Sequence, residues 1–201
     1  MSDIETYKIS DGGFNVDVKI SGGEGKTKIY NLVKHKINPA THALLDQIKQ
    51  ELIGTVQISA EEILDPKVIE SIKKRFSDRA ITLIKQKLPR IDAKTLNFLV
   101  MTLVKEMLGL GDLEILLTDP NLEEVIITSS AEPVRIFHKK YGWLKTNIKY
   151  DDENKIRHFA TQIGRNVDKG ISLLQPLLDA HLESGYRVNA TLSPITSGGN
   201  T

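Results

Sequence analysis

The period of the apolar residues changes twice along this chain, and that change limits the fold more than any single motif does. From about residue 38 to 117, apolar side chains recur every three or four positions, as one buried face of an α-helix requires. In the first 30 residues, and again in the C-terminal half, they alternate or form short compact runs, as strands do. Strands, then helices, then strands with one further helix make an α+β chain.

The first strand signal is Phe14, Val16, Val18 and Ile20, alternating with polar residues between the glycine pairs Gly12-Gly13 and Gly22-Gly23. Lys28-Ile29-Tyr30 begins a return strand. This hairpin has too little apolar surface to stand alone and is expected to pack on the segments after it in the chain. Asn38-Pro39 then opens a helix, as an N-cap followed by proline at the first helical position. Leu44, Leu45, Ile48 and Leu52 form its face, and Gly54 ends it. Asp65-Pro66 repeats the start signal for a helix carrying Val68, Ile69, Ile72, Phe76, Ala80, Leu83 and Ile84 until Pro89. A third helix runs from Asp92 to Gly109, with Leu96, Leu99, Val100, Leu103, Val104 and Met107 inward. Each has one apolar stripe, so the three are expected to form a small bundle.

From Gly111 the pattern shifts again. Leu113, Leu116 and Leu117 make a short helix stopped by Asp119-Pro120-Asn121, and Val125, Ile126 and Ile127 read as a compact strand core. Val134, Ile136 and His138 alternate in a second strand, and a third runs from Trp143 to Tyr150. Asp151-Asp152 opens a helix with Ile156, Phe159, Ala160 and Ile163 inward, and Arg187 to Leu192 reads as a final strand. The expected organisation is residues 1–110 as β-hairpin plus helical bundle and residues 111–201 as an α+β module with an antiparallel sheet.

Composition removes several function classes. The 201 residues carry 27 Lys and Arg against 26 Asp and Glu, a net charge of +1, so nucleic-acid binding by bulk charge is not expected. The absence of cysteine excludes a disulfide framework, a Cys-ligated zinc and an Fe–S cluster. No apolar run approaches the length of a membrane span, and the acidic start Met1-Ser2-Asp3-Ile4-Glu5 is unlike a signal peptide, so a cytoplasmic chain is expected.

Gly23-Glu24-Gly25-Lys26-Thr27 ends like a phosphate-binding P-loop, but Ile20 stands where the motif needs its first glycine, and a hairpin turn is the expected role. No other Gly-Lys pair occurs, so the chain carries no Walker A loop and is expected to be inactive as an ATPase by itself. His35, His42, His138, His158 and His181 show no metal-ligand spacing, and no catalytic residue is assigned. Lys67 to Lys94 holds nine basic residues against Glu70, Asp78 and Asp92. Two readings stand: a solvated helix face, or a docking surface for an acidic partner or membrane. The most informative stretch is Asp179-Ala180-His181-Leu182-Glu183-Ser184-Gly185-Tyr186-Arg187-Val188-Asn189, where a glycine turn delivers an arginine to the start of a strand. There Arg187 either closes an ion pair or meets a phosphate bidentately.

Two segments carry a resemblance. Gly109-Leu110-Gly111-Asp112-Leu113-Glu114-Ile115-Leu116-Leu117-Thr118-Asp119-Pro120, with Glu124-Val125 after it, is the first. The second is the Asp179-to-Asn189 run with Pro176 ahead of it. Together they resemble the N-terminal region of the type II/type IV secretion ATPase superfamily, the hexameric motors of secretion systems, type IV pili and the archaeal flagellum (archaellum). The resemblance covers about residues 105 to 197 and looks more like archaeal members than bacterial ones. The chain departs from the family at His181, at Glu183-Ser184 and at Tyr186, where relatives often carry arginine, Pro-Asp and a small residue.

The resemblance implies a PAS-like α+β module over 111–201. In the family it precedes a Gly-rich loop, an Ile-Arg-Lys-Phe-like segment and a RecA-like domain with Walker A and B. The expectation is a chain cut before that domain. It also implies ATP and Mg2+ as cofactors of the full-length protein, with Arg187 reaching the ATP phosphates. The implied partners are the chain's own RecA-like domain, neighbouring subunits of a homohexamer and a membrane platform protein, at the cytoplasmic face of the membrane. The alternative is a stand-alone protein-interaction or ligand-binding module without ATPase activity. An RNA-binding module would have to use Phe137, Tyr141 and Trp143, and no nucleic-acid partner is expected.

Overall fold

The computed structural model describes residues 2–11, 14–22, 27–33, 38–55, 69–182 and 185–201. The expected turns at Gly12-Gly13 and Gly23 to Lys26, the helix start at Asp65-Pro66, Val68 and His35 lie outside them. The protein is α+β, with an N-terminal hairpin, five helices among the described residues, a mixed sheet and a small antiparallel sheet. It divides into two compact units, residues 36–111 and residues 1–35 with 112–201.

The first unit is helical. α1 (Pro39–Thr55) is capped by the Asn38 side chain, whose Oδ1 accepts from the Thr41 N–H at 2.7 Å. It continues through Gly54 to Thr55, one residue past the expected stop. α2 (Ile69–Lys87) and α3 (Ala93–Leu108) follow, the latter capped by Asp92 and closed where the Gly109 N–H returns to the Lys105 carbonyl. Leu45, Ile48, Leu52, Ile72, Phe76, Ala80, Leu83, Ile84, Leu96, Leu99, Val100 and Leu103 form one buried cluster. The basic residues Lys74, Arg75, Arg79 and Lys85 point to solvent from the opposite face of α2.

The second unit is built on a six-stranded sheet. Its strands are β1 (Ser2–Asp11), β2 (Phe14–Gly22), β3 (Ile29–Val33), β4 (Leu122–Ile126), β5 (Arg135–His138) and β6 (Gly142–Thr146), in the order β1-β2-β3-β6-β5-β4. All neighbours are antiparallel except β3 and β6, which run parallel through Ile29↔Lys145 and Tyr30↔Thr146. The Asn147 side chain extends that joint, accepting from the Leu32 N–H at 2.9 Å and donating to the Leu32 carbonyl at 3.0 Å. The hairpin therefore joins the sheet of the C-terminal half, not the helices, and the expected grouping of residues 1–110 is corrected. The reason is that β3 has an open edge and β6 supplies its partner. Within residues 111–201 β4, β5 and β6 pair antiparallel as expected, and the parallel joint to β3 makes the whole sheet mixed.

Two further boundaries shift. The expected third strand stops at Thr146, because Asn147 turns away to bond β3, although Ile148 and Tyr150 remain buried. β4 buries Leu122, and Val125, Ile126 and Ile127 are only partly covered because β4 is the sheet edge. α4 (Asp112–Thr118) packs on β1 and β4, and α5 (Glu153–Arg165) packs on β7 (Leu177–His181), a strand the sequence patterns did not suggest. β7 pairs with β8 (Arg187–Thr191) in a separate two-stranded sheet.

Candidate functional site

The site is assembled around the β7–β8 hairpin. Pairing runs from Leu177↔Thr191 to His181↔Arg187. The turn is held by the Leu182 N–H donating to the Tyr186 carbonyl at 2.8 Å and the Gly185 N–H donating to the Leu182 carbonyl at 2.9 Å. Gly185 adopts φ +87°, a conformation that favours glycine. Glu183 and Ser184, two of the departures from the family pattern, lie outside the described residues.

This turn brings Arg187 and Asp179 onto one face as diagonal neighbours. The guanidinium donates twice, from Nε to Oδ1 at 3.1 Å and from Nη2 to Oδ2 at 2.9 Å. The hydrogen bonds from Arg187 hold the Asp179 carboxyl below the usual carboxylate range, and the same bonds raise the guanidinium's pKa. Of the two roles open to Arg187, the structure displays the ion pair. Both side chains are exposed (65% and 50%), so the pair adds little to stability and its geometry stays open to a competing oxyanion.

Beside the hairpin lies an apolar groove of about 500 Å³. Leu113 and Leu116 of α4, Phe159 and Ile163 of α5, and Val125 and Ile126 of β4 line it, with Arg187 and Asn189 of β8 also on its wall. The amphipathic periodicity of α5 had identified its residues as buried. What periodicity did not show is that the open edge of β4 leaves a slot between them.

The segment before Thr201, a residue on the groove wall, is held by a polar clasp. The Glu153 carboxylate accepts from the Ser130 and Asn200 backbone N–H groups, each at 2.6 Å. Burial alone would raise its pKa, but these two hydrogen bonds prevail and hold it below the ordinary value. A second polar centre lies under the sheet. Asp119, fully buried, accepts from the Tyr7 and Tyr30 hydroxyls at 2.6 and 2.8 Å and from the Asn121 N–H at 2.9 Å. Burial and the adjacent carboxylate raise both tyrosine pKa values. Nothing in the spacing of these four residues marks them as partners.

His138 is buried, its Nδ1 accepting from the Lys140 N–H at 3.1 Å, while its Nε2 has no hydrogen-bond partner. His42, His158 and His181 are exposed at separate places. Among the described residues no three histidine or carboxylate side chains converge as a metal site would require. The aromatic cluster is also placed: Phe137 and Trp143 are cross-strand partners packed edge to face at 5.3 Å, with the Arg135 guanidinium 5.5 Å from the Trp143 ring. No helix among the described residues is long and apolar enough to cross a membrane.

No protein-family model matches the chain. It is similar to three proteins of Methanocaldococcus jannaschii. The uncharacterized protein MJ1288 is 30% identical over 171 residues, covering 83% of this chain and 65% of the relative. The uncharacterized protein MJ0781 is 35% identical over 204 residues, covering 98% of this chain and 26% of the relative. The uncharacterized protein MJ0900 is 25% identical over 170 residues, covering 85% and 29%. The chain thus spans less than two thirds of the length of each.

Proposed function

We propose that the chain is the N-terminal regulatory and oligomerising region of a hexameric ATPase that powers protein secretion or the assembly of type IV pilus- or archaellum-like filaments. The observation that carries this reading is the Arg187–Asp179 pair, an exposed guanidinium presented bidentately at the mouth of a hairpin. The two sequence segments that resemble the secretion ATPases support it, and the second of them forms that hairpin. The greater length of the three relatives is compatible with it.

In this reading Arg187 holds phosphate oxygens of ATP in place of the Asp179 carboxylate, since both groups offer two anionic oxygens to the planar fork of the guanidinium. ATP, when bound, supplies a triphosphate whose charge changes on hydrolysis. Arg187 favours the closed, triphosphate-bound state and loses that preference afterwards, which couples occupancy to domain closure. Asp179 returns to the guanidinium when the phosphate leaves, so the arginine is never left without a counter-charge. Among the described residues of the hairpin no three histidine or carboxylate side chains converge, and in this reading Mg2+ would be held by the RecA-like domain. The proposed partners are that domain, neighbouring subunits of a homohexamer and a membrane platform protein at the cytoplasmic face of the membrane. The alternative, an interaction or ligand-binding module without ATPase activity, draws on the apolar groove.

Reading the gene beyond Thr201 is the first test: a Gly-x-x-x-x-Gly-Lys-Thr or -Ser loop is expected, and its absence overturns the motor. In the full-length protein, Arg187→Ala is expected to weaken nucleotide binding by about ten- to a hundredfold, the worth of hydrogen bonds to a charged group. Asp179→Asn removes the competing carboxylate and is expected to tighten binding. Unchanged affinity and ATPase rate in Arg187→Ala would discard the assignment.

A further inference from the structure

The proposed function sets phosphate oxygens on Arg187, and the inference here rests on that reading and deepens it. We infer that Lys169 is the second cation of the same site, standing across Asp179 from Arg187, so that the hairpin holds two adjacent phosphate groups rather than one.

Lys169 is delivered by the way α5 ends. The Lys169 N–H donates to the Gly164 carbonyl at 2.8 Å, which folds the chain back over the last turn of the helix. Asp168, just before it, takes φ +55°, a left-handed conformation that residues other than glycine seldom adopt. Its N–H returns to the Arg165 carbonyl at 3.2 Å. A Cβ on Gly164 would lie 2.5 Å from the Lys169 carbonyl oxygen, so glycine at that position permits the close return. From this turn the exposed Lys169 side chain crosses to β7, where its ammonium donates to the Asp179 main-chain carbonyl. A turn of unusual backbone and a close glycine contact thus fix where one lysine starts.

That carbonyl lies on the edge of β7 away from β8. The Leu182 N–H donates to the Tyr186 carbonyl and the Leu192 N–H to the Pro176 carbonyl, so the even-numbered residues of the ladder bond across it. By the alternation of antiparallel pairing, Asp179 turns its backbone groups to the outer edge. Lys169 therefore approaches Asp179 from that edge, and Arg187 approaches from β8. The hydrogen bonds from Arg187 lower the Asp179 carboxyl pKa most, and the charges of Arg187, His181 and Lys169 lower it further. Lys169 and Arg187 set two positive charges against the one negative charge between them, with His181 paired opposite Arg187 in the ladder. An anion that displaces the carboxylate meets both cations. The planar fork of Arg187 takes one phosphate group, and Lys169, a compact charge with three donors of which one is on the carbonyl, serves the next.

The test titrates the 201-residue chain with inorganic phosphate, pyrophosphate and tripolyphosphate at low salt, following the Arg187 Nε–H resonance by NMR. Pyrophosphate and tripolyphosphate are expected to bind at least about threefold more tightly than phosphate. Lys169→Gln keeps a donor for the Asp179 carbonyl and removes the charge. It is expected to weaken both polyphosphates about three- to fivefold, the upper range for an exposed charge pair, and phosphate less than about twofold. Lys169→Arg is expected to restore the preference. Arg187→Ala is expected to weaken all three probes. The outcomes separate the two readings. If Arg187→Ala weakens every probe and Lys169→Gln weakens none, or weakens all equally, the inference falls and the phosphate role of Arg187 stands. If the resonance responds to no probe, both fall. The expected pattern without a downstream Walker A loop sinks the motor and leaves the two-cation site.

Discussion

The two units of this chain solve the same packing problem with different materials. In the helical unit every described residue that is fully buried is apolar, whereas the sheet unit also buries Ser21, Asp119, Ser129, His138, Thr146 and Asn200. Apolar burial is non-directional and holds any well-shaped bundle together. Buried polar groups must meet a partner at a set distance and angle, so they fix one arrangement of distant segments. The bundle needs no such device, because its helices follow one another in sequence. The sheet unit joins strands from opposite ends of the chain, and the Asp119 carboxylate bonds Tyr7 and Tyr30 of the N-terminal strands from the C-terminal half.

That contrast can be broken by mutation. Phe76→Ala, at the centre of the helical cluster, is expected to cost about 3–5 kcal/mol, read as an early thermal transition of that unit. Asp119→Ala should cost the sheet unit about 3 kcal/mol by orphaning the buried Tyr30 hydroxyl and the half-buried Tyr7 hydroxyl. An Asp119→Ala protein as stable as wild type would show that the polar centre is dispensable. Gly164→Ala places a Cβ 2.5 Å from the Lys169 carbonyl oxygen and should cost about 1–3 kcal/mol of overpacking strain.

Acid sharpens the comparison. Burial of His138 is the largest influence and depresses its pKa below the ordinary 6.5; Lys140 acts the same way, and Asp119 and Glu5 oppose. A depressed pKa means that the unfolded chain takes up the proton first. The stability His138 contributes is then present above about pH 6.5 and is lost as pH falls through its folded value. Denaturant midpoints between pH 7 and 5 should fall for the sheet unit, and less steeply in His138→Asn, whose carbonyl oxygen replaces Nδ1. An identical slope in the variant would assign the pH dependence elsewhere. Smallest of all, Glu106→Gln removes one of the two carboxylate partners of Lys49 in the helical unit and leaves Asp46, at a cost of about 1 kcal/mol or less.

Sequence patterns revealed what depends on neighbours along the chain. The caps at Asn38, Asp92 and Asp152, the apolar faces of α1 to α3 and α5, and the alternation of Ile136 and His138 are all local signals. The β3–β6 joint was not legible, because nothing within Ile29–Val33 names its partner strand. β7 was missed because Leu177 is exposed beside the buried Leu178, which blurs the alternation. Arg187 stood out through the glycine turn before it. Asp179 was visible in the same motif, but its pairing with Arg187 depends on hairpin register. The groove was invisible, since a space between elements leaves no periodic trace.

The joint between β3 and β6 also sets a timetable. Leu32 and the Asn147 that completes its hydrogen bonds stand 115 residues apart. On a ribosome the N-terminal hairpin emerges first, yet its neighbour strand is the work of a much later moment. Residues 36–111 form a compact unit of their own and are free to fold while the hairpin waits with an unpaired edge. Nascent-chain length, rather than the stability of either unit, therefore governs when β3 is protected from pairing with the wrong strand.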